Sequence, residues 1–302
     1  MARVHANGID IEYESFGRES DPALLLIMGF GAQLTLWPRA FCEGLAGRGF
    51  RVIRFDNRDA GKSTRLTDKG VPDVPRLLAQ MAAGEPVAAP YLLSDMAADA
   101  VGLLDALGVE RAHIVGASMG GMIAQLVAAE HPRRTKSLVS IMSTTGRRDL
   151  PQPKPEAMVA LTQPPASTAR EDRIAAETRL WTILASPGYP WADGELRALT
   201  EEQVDRIGYD PTGGARQMAA IFASPPRNDV LKNVHCPALV IHGADDPLVL
   251  VEGGKDTAAS IPGCELAIIP GMAHSMPNAL VPLLLKRVGD FVAGAEAKAR
   301  NA

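Results

Sequence analysis

The feature that most constrains this 302-residue chain is a short run rich in β-branched residues, Ala112-His113-Ile114-Val115, that meets Gly116-Ala117-Ser118-Met119-Gly120 and then an Ala-rich stretch of helical character. The reading is strand, sharp turn, helix. Positions 116 and 120 call for glycine because a side chain at either would crowd the tight backbone of such a turn. The turn in its place lifts the Ser118 hydroxyl above the sheet edge, beside a helix N-terminus. The pattern alone is weak: with 28 Gly and 13 Ser in the chain, roughly 0.1 chance matches are expected. A serine heading a helix also has an ordinary role as its N-cap. The strand-to-helix setting is what gives the motif weight.

The rest of the chain supplies the sheet that such a turn needs. Asn7-Gly8 is a hairpin signal between residues 3–6 and 9–13. Residues 23–28 and 51–55 are continuous apolar runs suited to strands buried on both faces, and residues 38–48 and 94–107 read as amphipathic helices. A further strand is expected over 137–142. Strands alternating with helices at this spacing predict an α/β protein, a mostly parallel twisted sheet with helices on both faces. Residues 66–90 read as irregular. After position 143 the rhythm breaks: 10 of the 23 prolines fall between Gly146 and His235, with helical patches near 170–184, 194–206 and 213–222 and no buried strand. Two strands then return at 238–243 and 265–270, followed by a helix near 282–291 and a fraying tail over 293–302. The expected organisation is a core of residues 1–143 and 235–302 with an inserted helical cap, or lid, over 144–234.

Composition narrows the partners. Hydrophobic residues make up 46%, charged residues 22%, and the net charge is −4, which gives no electrostatic reason to expect nucleic acid. The first residues lack the apolar core of a signal peptide, and the longest early apolar run, residues 24–28, is too short to cross a bilayer. A cytoplasmic protein is expected, with peripheral membrane contact left open. Cys42, Cys236 and Cys264 are scattered and odd in number, against both a disulfide framework and a zinc site. Gly61-Lys62-Ser63 invites a phosphate-loop reading, but that motif needs glycine at position 56, which is Asp.

A serine hydroxyl is a poor nucleophile at neutral pH and needs a base within reach, oriented in turn by a third group. Loops after the C-terminal ends of parallel strands open on one rim. Two such loops carry the required types: Gly243-Ala244-Asp245-Asp246-Pro247 after one predicted strand and Gly271-Met272-Ala273-His274-Ser275 after the next. Ser118, one of the two acids and His274 are the candidate catalytic set. Spacing alone does not separate Asp245 from Asp246. Of the six histidines, only His274 sits in a glycine-flanked loop directly after a strand. The backbone N–H of Met119, at the helix start, is a candidate donor to an oxyanion.

Taken together these segments resemble the α/β-hydrolase superfamily. Gly116-Ala117-Ser118-Met119-Gly120-Gly121, His242-Gly243-Ala244-Asp245-Asp246-Pro247-Leu248 and Pro270-Gly271-Met272-Ala273-His274 are similar to its signatures, in its order Ser, Asp, His. Asp56-Asn57-Arg58-Asp59-Ala60-Gly61-Lys62-Ser63 resembles its Asp-x-Arg-Gly-x-Gly-x-Ser loop, with Asp59 where Gly is usual. Within the superfamily the chain is most similar to capped serine carboxylesterases of the aclacinomycin methylesterase and mycobacterial lipase-esterase kind. The likeness is thin over 144–234.

The resemblance implies Asp246 as the triad acid and the backbone of Phe30, after Gly29, as the second oxyanion donor, although Met28 stands where His is common. It implies no metal and no organic cofactor. The implied reaction is hydrolysis of a hydrophobic or lipid-like carboxylic ester through an acyl-enzyme on Ser118, the partner being a small-molecule or lipid ester. Thioesterases, phospholipases and cofactor-free haloperoxidases use the same triad; a non-catalytic ligand-binding protein on this fold is the alternative of another class. Trp181, Trp191, Met218 and Phe222, with Met158, Ile183 and Leu184, are the expected apolar pocket lining, packing within the cap being the other reading.

Overall fold

The structure, a computed structural model, describes residues 1–208 and 210–300. Among them, strands β1 (Ala2–Ala6), β2 (Ile9–Phe16), β3 (Ala23–Ile27), β4 (Arg51–Phe55), β5 (Ala112–Ala117), β6 (Thr135–Ile141), β7 (Ala238–Gly243) and β8 (Glu265–Ile269) form one sheet. Its order is β1-β2-β4-β3-β5-β6-β7-β8. The first two strands join by a tight turn in which Asn7 and Gly8 both take the left-handed conformation, φ 50° and 77°, as the Asn-Gly pair requires. β2 pairs antiparallel with β4, and every later pairing is parallel.

Period-two alternation divides the core. Leu25, Ile27, Ile53, Phe55, Ile114 and Leu138 face one side. There they meet α3 (Leu93–Ala106) and α4 (Met119–Glu130). Leu24, Leu26, Val52, Val115, Val139 and Ile241 face the other. That side is covered by α1 (Arg39–Ala46) and by the last helix, Val281–Arg300. The central strands are buried on both faces, which is why they read as unbroken apolar runs.

Two sequence expectations shift. Residues 66–90 are not irregular throughout, because α2 (Val74–Ala83) forms there, capped by the Asp73 side chain on the Arg76 N–H. Its Pro75 sits in the first turn, where no helical hydrogen bond is lost. The final helix runs nine residues beyond its expected end, to Arg300, so the tail does not fray over the described residues; residues 301 and 302 lie outside them. Between β6 and β7 the chain forms α5 (Pro155–Thr162), α6 (Arg170–Ile183), α7 (Glu195–Arg206), α8 (Thr212–Ala223) and α9 (Asn228–Leu231). The last of these packs on α4 and on α10 (Val251–Ser260), and Leu231 and Val234 are buried with Leu138 and Ala238. The final helix is α11.

The stretch from α5 to α8 lies over the loops that follow the parallel strands. Gln203 donates to Thr35 Oγ1 at 2.7 Å, and Arg206 pairs with Asp56 at 2.8 Å. Gly188 N–H donates to the Gly271 carbonyl at 2.8 Å. No helix among the described residues is long and apolar enough to cross a membrane.

Candidate active site

Ser118 occupies the turn between β5 and α4 with φ 55° and ψ −123°, a strained conformation for a non-glycine residue. The two glycines make it possible. A Cβ on Gly116 would stand 2.0 Å from the Gly120 carbonyl oxygen, and one on Gly120 would stand 2.0 Å from the Ile27 carbonyl oxygen. The backbone is pinned by Ser118 N–H on the Ile141 carbonyl at 2.9 Å and by Ser143 Oγ on the Ser118 carbonyl at 2.8 Å. Helix capping, the ordinary role for such a serine, is not taken up: the side chain makes no cap hydrogen bond. It meets His274 Nε2 at 2.9 Å instead.

His274 Nδ1 stands 2.7 Å from Asp246 Oδ2. Because that carboxylate only accepts, Nδ1 carries the proton and Nε2 is left to accept from Ser118. Asp246 is buried and is held by the Leu248 and Val249 N–H groups, each 2.9 Å from Oδ1. His242, 3.7 Å from Asp246 Oδ2, gives its Nε2–H to the Val249 carbonyl at 2.7 Å. Burial holds its pKa below the usual imidazole range, so it stays neutral beside the acid. Asp245 is exposed. It accepts the Gly271 N–H at 2.8 Å, bracing the loop that carries His274.

The β3 loop closes over the serine. A Cβ on Gly29 would lie 3.0 Å from the Ser118 Cβ, so that position needs glycine by proximity. Met119 opens α4, where backbone N–H groups have no partner within the helix, and both Phe30 and Met119 line the same cavity as Ser118 and His274. The loop is held from two sides. Asn57 Nδ2 donates to the Met28 carbonyl at 2.8 Å, and Gln217 Oε1, from α8, accepts the Gly31 N–H at 2.8 Å.

Asp59, φ 65°, replaces glycine at a left-handed position and is fully buried. Arg216 of α8 forks it at 3.0 and 2.7 Å, and Tyr91 donates to it at 2.8 Å. Gln217 and Arg216 were not singled out in the sequence. The signal was there: a cation and an amide set inside the small and apolar run of α8.

The cavity measures about 1270 Å³. Trp181, Trp191, Met218 and Phe222 all line it, as do Met158 and Leu184; Ile183 does not. Among the described residues no group of three or more His, Cys, Asp or Glu side chains is placed to hold a metal ion.

A family model described as alpha/beta hydrolase fold matches residues 22–276. The chain belongs to that family. It is 29% identical over 288 residues to rhodomycin D methylesterase DauP of Streptomyces sp. (strain C5), covering 88% of this chain and 89% of the relative. It is 25% identical over 256 residues to 3-oxoadipate enol-lactonase 2 of Acinetobacter baylyi, covering 83% and 81%. Among solved structures, the enol-lactonase from Burkholderia xenovorans LB400 superposes with a TM-score of 0.70 at 23% identity, over 97% of this chain and all of that one.

Proposed function

We propose that the protein is a serine-dependent carboxylic ester hydrolase acting on large hydrophobic esters. The observation that carries this reading is the relay Ser118 Oγ to His274 Nε2 at 2.9 Å and His274 Nδ1 to Asp246 Oδ2 at 2.7 Å. His274 takes the Ser118 proton as Oγ attacks the ester carbonyl, and Asp246 steadies the imidazolium that forms. The oxyanion develops toward the Phe30 and Met119 N–H groups and the positive end of α4. The C–O bond to the alcohol breaks as His274 protonates the leaving oxygen. Water, deprotonated by the same imidazole, then attacks the acyl-Ser118 carbonyl and releases the acid.

The stretch from α5 to α8, within residues 144–234, serves as the cap. A cavity of about 1270 Å³ exceeds the usual range for drug-sized ligands, and its Trp and Met walls suit a multi-ring or long-chain substrate. The relative named as a methylesterase supports a small alcohol on a large acid. The first test is fluorophosphonate labelling: wild type should label covalently, and Ser118→Ala should not, with ester hydrolysis falling at least about 10⁴-fold. An unlabelled wild type overturns the reading. Methyl and aryl esters of increasing acyl size, run beside the matching thioesters, then fix the substrate class.

A further inference from the structure

One group in the cavity wall is spent on neither the relay nor the cap anchors. Arg227 is 2% exposed and lines the cavity that holds Ser118. Its Nε donates to Gln125 Oε1 at 3.0 Å and its Nη2 to the Thr144 carbonyl at 2.8 Å. Both acceptors are neutral. Nη1 has no acceptor among the described residues, and it is not one of the enclosed polar atoms left without a partner, so it keeps accessible surface on a residue that lines the cavity. The carboxylate on this side of the site, Asp256, is engaged by Arg147 at 2.9 Å, by Thr145 and by Asn228.

A buried cation without a counter-charge is costly, because desolvation is not offset by an ion pair. Burial alone acts on this guanidinium, drawing its pKa down to about 10; the group is still charged at neutral pH. Arg148 adds to the local positive charge. It also lines the cavity, and its recorded partner is the Gly84 carbonyl. Among the described residues, the buried Arg54, Arg58 and Arg216 each pair with an acid, Glu14, Asp99 and Asp59, whereas the buried Arg51 does not.

We propose that Arg227 receives a carboxylate carried by the substrate, so that the preferred ester is one that bears a free carboxyl group at a distance from the scissile bond. This rests on the reading of Ser118 as the nucleophile. With Nε and Nη2 committed, a single nitrogen is offered, which suits one oxygen of a monoanion better than a phosphate dianion. Position sets the spacing. Gln125, which holds the guanidinium, is seven residues along α4 from Ser118, on the order of 10 Å at the helical rise. The missing counter-charge arrives with the ligand, and the cavity discriminates by it.

The experiment compares substrates that differ only in that charge. One series is the 4-nitrophenyl monoesters of straight-chain dicarboxylic acids of increasing length; the other is the same molecules with the far carboxyl group methylated. In wild type the free acids should show a KM at least tenfold lower than their methylated partners at the best length, with kcat similar. Arg227→Met should erase the difference and Arg227→Lys should keep part of it, while the methylated series is hydrolysed as before. Equal KM values in wild type, or a preference that survives in Arg227→Met, overturn the proposal and leave the hydrolase reading standing. Hydrolysis of neither series overturns both. Should Arg227→Met not fold, the wild-type comparison decides, with free alkanoates and the matching alkanamides as competitive inhibitors: alkanoates no stronger than alkanamides overturn the assignment.

Discussion

Asp245 and Asp246 are neighbours in the chain with opposite surroundings, and the difference is testable. Asp246 is buried against His274, with two backbone N–H groups on its other oxygen, whereas Asp245 sits in solvent and only steadies the Gly271 N–H. Asp246→Asn presents the wrong group to His274 Nδ1 and should lower kcat by about 10⁴-fold with the fold intact; Asp245→Asn should stay within about threefold of wild type. Ester kinetics and circular dichroism on the pair check both. At this scale the sequence was informative where chemistry restricts residue type. A serine on a glycine-bounded turn, an acid and a histidine on successive strand-end loops leave few alternatives, and the structure brings those side chains together. Asn57 and Gln217 were hidden because any residue with the right hydrogen-bonding group can brace a loop from a distant segment, so no local pattern marks it.

α8 is the element that joins the cap to the site. Arg216 and Gln217, both fully buried, hold two strand-end loops at once, through Asp59 and through Gly31. Gln217→Leu removes the acceptor for the Gly31 N–H and frees the loop carrying Phe30. It should lower kcat by about tenfold with little change in KM, since the cavity wall is kept. Arg216→Met strands a buried carboxylate and should cost about 3–5 kcal/mol in urea unfolding. Adding Asp59→Gly to it should recover at least half, because glycine suits the left-handed backbone and the unpaired charge is gone. Recovery absent from the double variant would place the loss elsewhere than in the ion pair. Elements whose pattern was strong, β3, β4, β5 and α3, were legible in the sequence. Helix α2 was not, since prolines on either side resemble a loop until one of them is seen to occupy a first turn.

For the whole molecule, acid is the expected weakness. Burial draws His113 from the ordinary 6.5 down to about 4 and lowers His242 by the same cause. His113 joins β5 to β6 through Ser137 at 2.8 Å and to α11 through Glu296 at 3.1 Å. Between those pH values the unfolded chain binds a proton that the folded chain refuses, so stability is fully present above pH 6.5 and declines as pH falls toward 4. His113 contributes on the order of 3 kcal/mol to that decline. Denaturation midpoints across the range should fall accordingly, and His113→Gln should flatten the slope; an unaltered slope would exclude His113 as its source. The fold class and the sheet's parallel character were legible at this scale because alternation over many elements averages out local errors; in the inserted segment α6, α7 and α8 were legible too, and only the shorter α5 and α9, of eight and four residues, were not.

The strand order β5-β6-β7-β8 also sets a sequence in time. Ser118, after β5, is synthesised before Asp246 and His274, which follow β7 and β8, with helices α5 to α9 between them. A nascent or truncated chain that stops short of β7 holds a serine without its base. Ser118, Asp246 and His274 therefore come together only once β7 and β8 have joined the sheet.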